Sequence, residues 1–421
     1  MSQTLMDKEL ENADEAADQG LGRAARDYVT KVRGGDVGAL PAVLGLIALI
    51  IVFAILRPET FTNAFNFANL ITQSATVIVI AMGLVFTLLL GEIDLSAGWT
   101  AGVAGAMLGV TVTQHGYPWW IGILVCLATG AVIGLFIGFL VSRVGIPSFV
   151  VTLAMYLALQ GLLLQIIGDG GTIPIQDNTL LAIMSDNLPV WLGWLLFAVV
   201  VVVYGATSYR RMAVRRAKGL VANPRSVWLL KVVSLAVVLG LGTAYLNEER
   251  SRNPAVSSIK GVPVIVPLLL VLLVVLTVLL SRTRFGRHVY AVGGNAEAAR
   301  RAGINVARVR MICFVICSTV AAIAGILLAS RVNSITPTSG GNETLLYAVG
   351  AAVIGGTSLF GGKGRPVDAV IGGLVVGVID NGMGLLNQTA AVVYMVTGLV
   401  LLVAAGVDAL SRRRAAASGV G

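Results

Sequence analysis

The chain has 421 residues, of which 57% are hydrophobic and 12% charged, with a formal net charge of +9. Soluble proteins carry about 25% charged residues, so an ordinary soluble domain is excluded. The positive balance does not indicate nucleic acid either. Basic residues lie between apolar runs instead of gathering on one soluble face, and anionic lipid suits them better. Glycine reaches 50 residues, well above its usual ~7% share, as expected where membrane helices pack through small side chains.

Residues 1–39 are polar, with an acidic run (Asp7, Glu9, Glu11, Asp14, Glu15, Asp18) followed by Arg23, Arg26, Lys31 and Arg33. No apolar core follows a basic start within reach of a cleavage site, so this is not a secretory signal. It reads as a flexible cytoplasmic tail, and Leu40–Leu56 as an uncleaved first span. A membrane helix needs about 20 largely apolar residues. On that measure spans are expected near 40–56, 70–90, 97–113, 119–141, 148–167, 190–208, 227–246, 262–280, 309–330, 343–359, 367–386 and 390–410. The segments 97–113 and 343–359 are short and glycine-rich, and 227–246 carries Lys231, so the expectation is ten to twelve spans.

An even count puts both termini on one side, and the charges agree. Twenty-five basic residues fall on the side shared with the termini. The other side has five: Arg57, Arg250, Arg252, Lys260 and Arg331. Lys and Arg are retained in the cytoplasm. The predicted fold is therefore an all-α polytopic transmembrane bundle over 40–410, with residues 1–39 and 411–421 as cytoplasmic tails.

Three polar intervals interrupt the apolar pattern. The first, GEIDLSAG at 91–98, places Glu92 and Asp94 inside an otherwise apolar region. Each carboxylate would cost roughly 2.5–3.5 kcal/mol at a bilayer centre, so lipid-facing burial is excluded. Asp94 or Ser96 can cap the helix that follows. The plain alternative is a tight cytoplasmic turn with a capping acid.

The second interval, residues 281–310, carries Arg282, Arg284, Arg287, Arg300, Arg301, Arg308 and Arg310. Its middle predicts a short helix over Asn295–Ile304. Asn295 serves as N-cap, Glu297 sits at the positive end of the dipole, and Arg300 and Arg301 lie near the negative end. Ala296, Ala298, Ala299 and Ala302 favour helix, and Gly303 stops it. Two turns are too short to be stable alone in water, so a membrane surface or a cytoplasmic partner must hold them. A plain positive-inside loop would need the arginines but not the cap, the alanines and the glycine.

The third interval is GGTSLFGGKGRPVDAVIGGLVVGVIDNGMGLL, residues 355–386. A glycine turn ends at Pro366 and opens a helix containing Asp380 and Asn381. An intramembrane carboxylate beside an amide marks either a functional site or an interhelical hydrogen bond. The glycines fail as a phosphate-binding loop, because Gly362 precedes Lys363 and Gly364 follows it. This segment and 91–110 share a loose form, a glycine-and-charge turn opening a small-residue helix, as internal repeats in transporters do.

Nothing in the chain suggests catalysis or a metal. Cys126, Cys313 and Cys317 lie in apolar segments, and His115 and His288 have no evident nucleophile or ligand partner. No soluble domain is large enough to hold ATP.

Taken together, GEIDLSAG, GNAEAARRAGI and GGTSLFGGKGRPVDAVIGG resemble the permease subunits of bacterial ABC sugar importers, in the branch with ribose and xylose permeases. The extra length in the N-terminal tail and around 205–260 is closer to the xylose form. The resemblance implies a multi-pass protein of the bacterial inner membrane that imports a monosaccharide, a pentose such as xylose. It also implies a cytoplasmic ATPase partner holding ATP and Mg, with no cofactor on this chain and no enzymatic activity of its own. A sugar-binding protein and a second copy of the chain are the other implied partners.

On that resemblance, Asn295, Glu297, Ala299, Arg300, Arg301, Gly303 and Ile304 form the coupling helix that docks into the ATPase. Sugar passage calls for sparse hydrogen-bonding groups. The candidates are Glu92, Asp94, Asn66, Asn69, Gln73, Gln160, Gln165, Asn333, Asn342, Asp380 and Asn381. The rival is an ion-coupled secondary sugar transporter, for which Asp380 is the best coupling site.

Overall fold

The computed structural model describes residues 40–168, 170–220, 224–251, 253–254 and 258–417; the expected tail at 1–39 and residues 418–421 lie outside the described residues. In chain order, α1 is Leu40–Leu56, α2 Pro58–Phe61, α3 Ala64–Leu88, α4 Ala97–Gly109, α5 Trp119–Phe139 and α6 Ser148–Ile167. Single π-helical turns extend α4 over Val110–Gln114 and α5 over Leu140–Val144. Then come β1 (Ile173–Pro174), α7 (Asn178–Ser185), α8 (Val190–Ala217) and α9 (Arg225–Leu246). Next are α10 (Ile265–Arg282), α11 (Arg284–Gly294), α12 (Ala296–Arg301) and α13 (Val306–Val332). The chain closes with β2 (Ser334–Ile335), α14 (Asn342–Ile354), α15 (Pro366–Leu385) and α16 (Ala390–Ala417).

Each of the twelve apolar segments is helical, and among the described residues eight helices are long and apolar enough to cross a membrane. The boundaries move where polar residues continue a helix. α3 starts at Ala64 because Asn63 caps it, accepting from the Phe65 N–H at 2.8 Å. α8 runs on through its arginine-rich end to Ala217. The expected span 343–359 is cut short: α14 ends at Ile354, and the left-handed Gly356 (φ 109°) turns the chain away.

Residues 38–186 and 263–409 form one compact unit. α3 is its axis, buried from Ser74 to Leu90 apart from the half-buried Val77. α13, α14 and α15 pack around it, while Leu124, Val132, Leu135, Phe136, Leu157 and Val271 point outward from α5, α6 and α10. Exposed apolar side chains over so many helices suit a hydrocarbon solvent.

Residues 187–262 belong to a second unit, built on α8 and α9. These two helices meet where the Trp228 indole N–H donates to Ser208 Oγ at 3.0 Å. In the turn after α9, the Glu249 carboxylate accepts from Ser258 Oγ and from the N–H groups of Ser251 and Ile259. Those bonds favour the charged form and hold its pKa at about 2.

α14 has 13 residues, or about 20 Å of helix, short of the ~30 Å hydrocarbon thickness, and α4 has 13 before its π-helical turn. They meet at their N-termini: a Cβ on Gly98 would lie 2.4 Å from the Gly340 carbonyl. From there they diverge. Gly105 of α4 approaches Gly325 and Gly109 approaches Ile173, whereas Gly355, just past α14, packs on Asp368. Segment 334–341 runs back along α4, and β1 pairs with β2 (Ile173 with Ile335) beside it. Two short helices thus meet with their N-termini inside the bundle.

Candidate functional site

The 281–310 interval holds two helices, not one. α11 carries Phe285, Val289 and Val292 at i, i+4 and i+7, one apolar face among arginines. Val289 and Val292 are buried, and Thr283 caps the helix by accepting from Gly286 N–H at 3.1 Å. That periodicity was available in the sequence but was masked by the charge.

α12 follows directly. Asn295 Oδ1 accepts from Ala298 N–H at 2.9 Å, and Glu297 pairs with Arg300 and Arg301 at 2.9 and 3.4 Å. Gly303, at φ 84°, ends the turn. The helix has two faces. Ala299 is buried and Ile304 half-buried against the bundle; Glu297, Ala298, Arg300, Arg301 and Ala302 are exposed. The inner face holds the short helix in place, and the outer face is free to meet a partner. Beside it lies a cavity of about 420 Å³ lined by Phe285, His288, Ile304, Asn305, Arg308 and Ile312, among others.

The last turn of α11 is clamped to two other segments, backbone against backbone. A Cβ on Gly293 would lie 1.9 Å from the Leu89 carbonyl, which accepts from Gly362 N–H at 2.8 Å. Tyr290 donates to the Gly364 carbonyl at 2.8 Å. Its hydroxyl pKa is raised by burial and then by the nearby Asp368 carboxylate. Glu92 forms an ion pair with Arg310 at 3.1 Å. The turn before α4 and the turn after α14 therefore meet the segment that carries α12. Their sequence likeness has a spatial counterpart.

Asp94 lies in the first of these turns and is fully buried. Its Oδ1 accepts from the Ser96 N–H at 3.0 Å and the Ser96 hydroxyl at 2.6 Å, while Oδ2 has no hydrogen-bond partner. The capping expectation needs correction. Neither Asp94 nor Ser96 reaches an N–H inside α4, and the N-cap Ser96 makes no side-chain bond there.

The remaining polar candidates do not form one group. Asn66 and Asn381 exchange two amide hydrogen bonds of 2.9 Å, and Asn381 also donates to Gln73 at 3.2 Å. This buried network joins α3 to α15, the interhelical bond that was one of the two readings for Asn381. Asp380, the adjacent residue, is exposed. Arg331 is within electrostatic reach of it and donates to the Gln73 carbonyl at 3.5 Å. Asn69 and Gln160 are half-buried; Gln165 and Asn333 are exposed near the ends of α6 and α13. Asn342, exposed at the start of α14, accepts from the Tyr156 hydroxyl. Among the described residues no group of His, Cys, Asp or Glu is placed to hold a metal.

An apolar helical bundle with two short helices meeting inside it, clamped at one end to a basic helical loop, defines a polytopic membrane protein. Residues 66–405 match the family described as branched-chain amino acid transport system / permease component, and the chain belongs to that permease family. The xylose transport system permease protein XylH of Escherichia coli K12 is 35% identical over 88% of this chain and 92% of its own length. XylH of Haemophilus influenzae is 34% identical over 89% and 98%. The ribose import permease protein RbsC of Escherichia coli K12 is 30% identical over 91% and 97%. No solved structure matches. The protein is a multi-pass transport subunit of the bacterial inner membrane.

Proposed function

We propose that this chain is the permease of an ATP-driven, binding-protein-dependent importer of a monosaccharide, a pentose such as xylose. It crosses the membrane ten to twelve times with both termini in the cytoplasm, and residues 281–310 face the ATPase. The chain binds no ATP or Mg itself. A sugar-binding protein delivers the ligand from outside, and a second copy of the chain completes the passage. The observation that carries this reading is the clamp between α11 and the turns at 89–92 and 361–364. A displacement applied to the exposed face of α12 reaches the turn that leads into α4 and the turn that follows α14. Packed elements of that kind switch between arrangements and do not deform continuously.

The ion-coupled rival is less well supported. Its best coupling site, Asp380, stands on an exposed face next to a cation, and Asn381 is already satisfied by Asn66 and Gln73. The test is uptake into reconstituted vesicles across a panel of pentoses and hexoses, with the ATPase and binding protein each present or omitted. Uptake that requires both, and survives collapse of ion gradients, supports the proposal. Uptake that persists without ATP and follows an ion gradient would establish the rival.

A further inference from the structure

α4 and α14 carry a second constellation that the coupling account does not use. Around the N-terminus of α14 stand Asn342 and Glu343, both exposed, with Tyr156 donating to Asn342 Oδ1 and Tyr394 donating to Glu343 Oε1. Trp99, in the first turn of α4, packs edge-on against Tyr156 with ring centroids 5.9 Å apart. Its ring also lies against Gly341, the N-cap of α14, where a Cβ would sit 3.3 Å from Cη2 and 3.5 Å from Cζ2. The indole is 3% exposed and its N–H, two bonds from Cζ2, has no hydrogen-bond partner. Neither Ser96 nor Gly341 caps its helix with a side chain, so backbone N–H groups of both helices converge here as well.

The depth of this cluster decides what it faces. α14 is about 20 Å long and its other end lies at the clamp, so Glu343 and Asn342 stand well inside a ~30 Å hydrocarbon layer. An exposed carboxylate and amide at that depth face a water-filled passage, not lipid. We propose that Trp99, Tyr156, Asn342, Glu343 and Tyr394 form a station in the membrane interior that contacts a neutral polyol during passage. This rests on the sugar-permease reading and names the place where that ligand is handled.

The chemistry selects the ligand class. In the resting arrangement the two tyrosine hydroxyls occupy acceptors on Asn342 and Glu343. A sugar hydroxyl both donates and accepts, so it can replace either phenol without leaving the acceptor bare, and it offers the unpartnered indole N–H an acceptor. None of the five residues is a cation, and Glu343 repels anions, so a sugar phosphate or an amino-acid carboxylate is disfavoured despite the two helix N-termini. The contacts are few and exchangeable, which lets the ligand leave.

The test uses the complete transporter in cells, with labelled xylose, ribose, 2-deoxyribose and leucine as probes. Glu343→Gln, on an exposed position, and Trp99→Phe, which removes only the indole N–H and some ring area, are compared with Leu346→Ala one turn along α14. The indole N–H lost in Trp99→Phe, and the charged acceptor oxygen that Glu343→Gln replaces with an NH2 donor, are each expected to change the ratio of parent-sugar to deoxy-sugar uptake by about three- to tenfold. Membrane abundance and ATPase co-purification should match wild type, and Leu346→Ala should leave the ratio alone. If Trp99→Phe does not reach the membrane, Glu343→Gln decides the matter. A wild-type ratio in Glu343→Gln, whether uptake is normal or uniformly reduced, overturns the station. So does uptake of leucine in preference to every sugar that enters. Wild-type cells that import none of the sugars would instead overturn the permease reading itself.

Discussion

Asp94 is fully buried; Ser96 satisfies its Oδ1, and Oδ2 has only the weak thiol donor of Cys317 near it. An under-satisfied buried acceptor costs about 1–3 kcal/mol, and more when charged, so the residue is not there for stability. Asp94→Asn keeps the shape and the Oδ1 bonds to Ser96 while removing the charge. The variant should accumulate in the membrane at wild-type level or above and lose at least tenfold in uptake, a loss that removing an ordinary turn residue worth ~1 kcal/mol would not give. Wild-type uptake at equal abundance would reduce Asp94 to a turn-former. At this scale the sequence shows polar residues in apolar surroundings but not what they touch. Glu92 and Asp94 were legible as carboxylates that do not face lipid, but their neighbours Arg310 and Cys317, both on α13, come from far along the chain. Asp380 and Asn381 looked like one site because they are adjacent. On a helix adjacent side chains diverge by about 100°, and here Asn381 is buried while Asp380 is exposed.

Among the elements, α12 was legible because its signals are local: a cap at Asn295, alanines and a terminal glycine. α11 has the same local basis in its i, i+4, i+7 face, but five polar or small residues between the apolar ones hide it. α4 and α14 could be seen only as short, glycine-rich segments. That their N-termini meet depends on Gly98 approaching Gly340, a contact between residues 242 positions apart. The clamp is likewise a long-range arrangement, and it gives a clean comparison between neighbours. A Cβ at Gly293 would stand 1.9 Å from the Leu89 carbonyl, whereas one at Gly294 meets nothing within 4 Å. Gly293→Ala should therefore lower thermal stability in detergent by the ~1–3 kcal/mol typical of overpacking, and Gly294→Ala should not. Equal stability of the two variants would mean that the clamp is loose.

For the whole molecule, composition and periodicity established the solvent and the helical class, because hydrophobic burial in lipid needs little beyond long apolar runs. Partners were not legible in that way. They entered through motifs whose physical sense appears only when α11, α12 and the two turns are seen together. The central claim is that the outer face of α12 docks into an ATPase. Arg300 and Arg301 lie on that face, but each is highly exposed and already paired with Glu297, so truncating either should cost little. Ala299 is buried against the bundle and would report on folding as well as docking. Ala298 is exposed, and a large side chain there would obstruct a partner without disturbing this chain. The most direct measurement is pull-down of the ATPase, with uptake, for Ala298→Trp, Arg300→Ala and wild type at matched membrane abundance. The account predicts that Ala298→Trp loses both the ATPase and uptake while Arg300→Ala keeps most of each; an Ala298→Trp variant that retains the ATPase and imports sugar at the wild-type rate would contradict it.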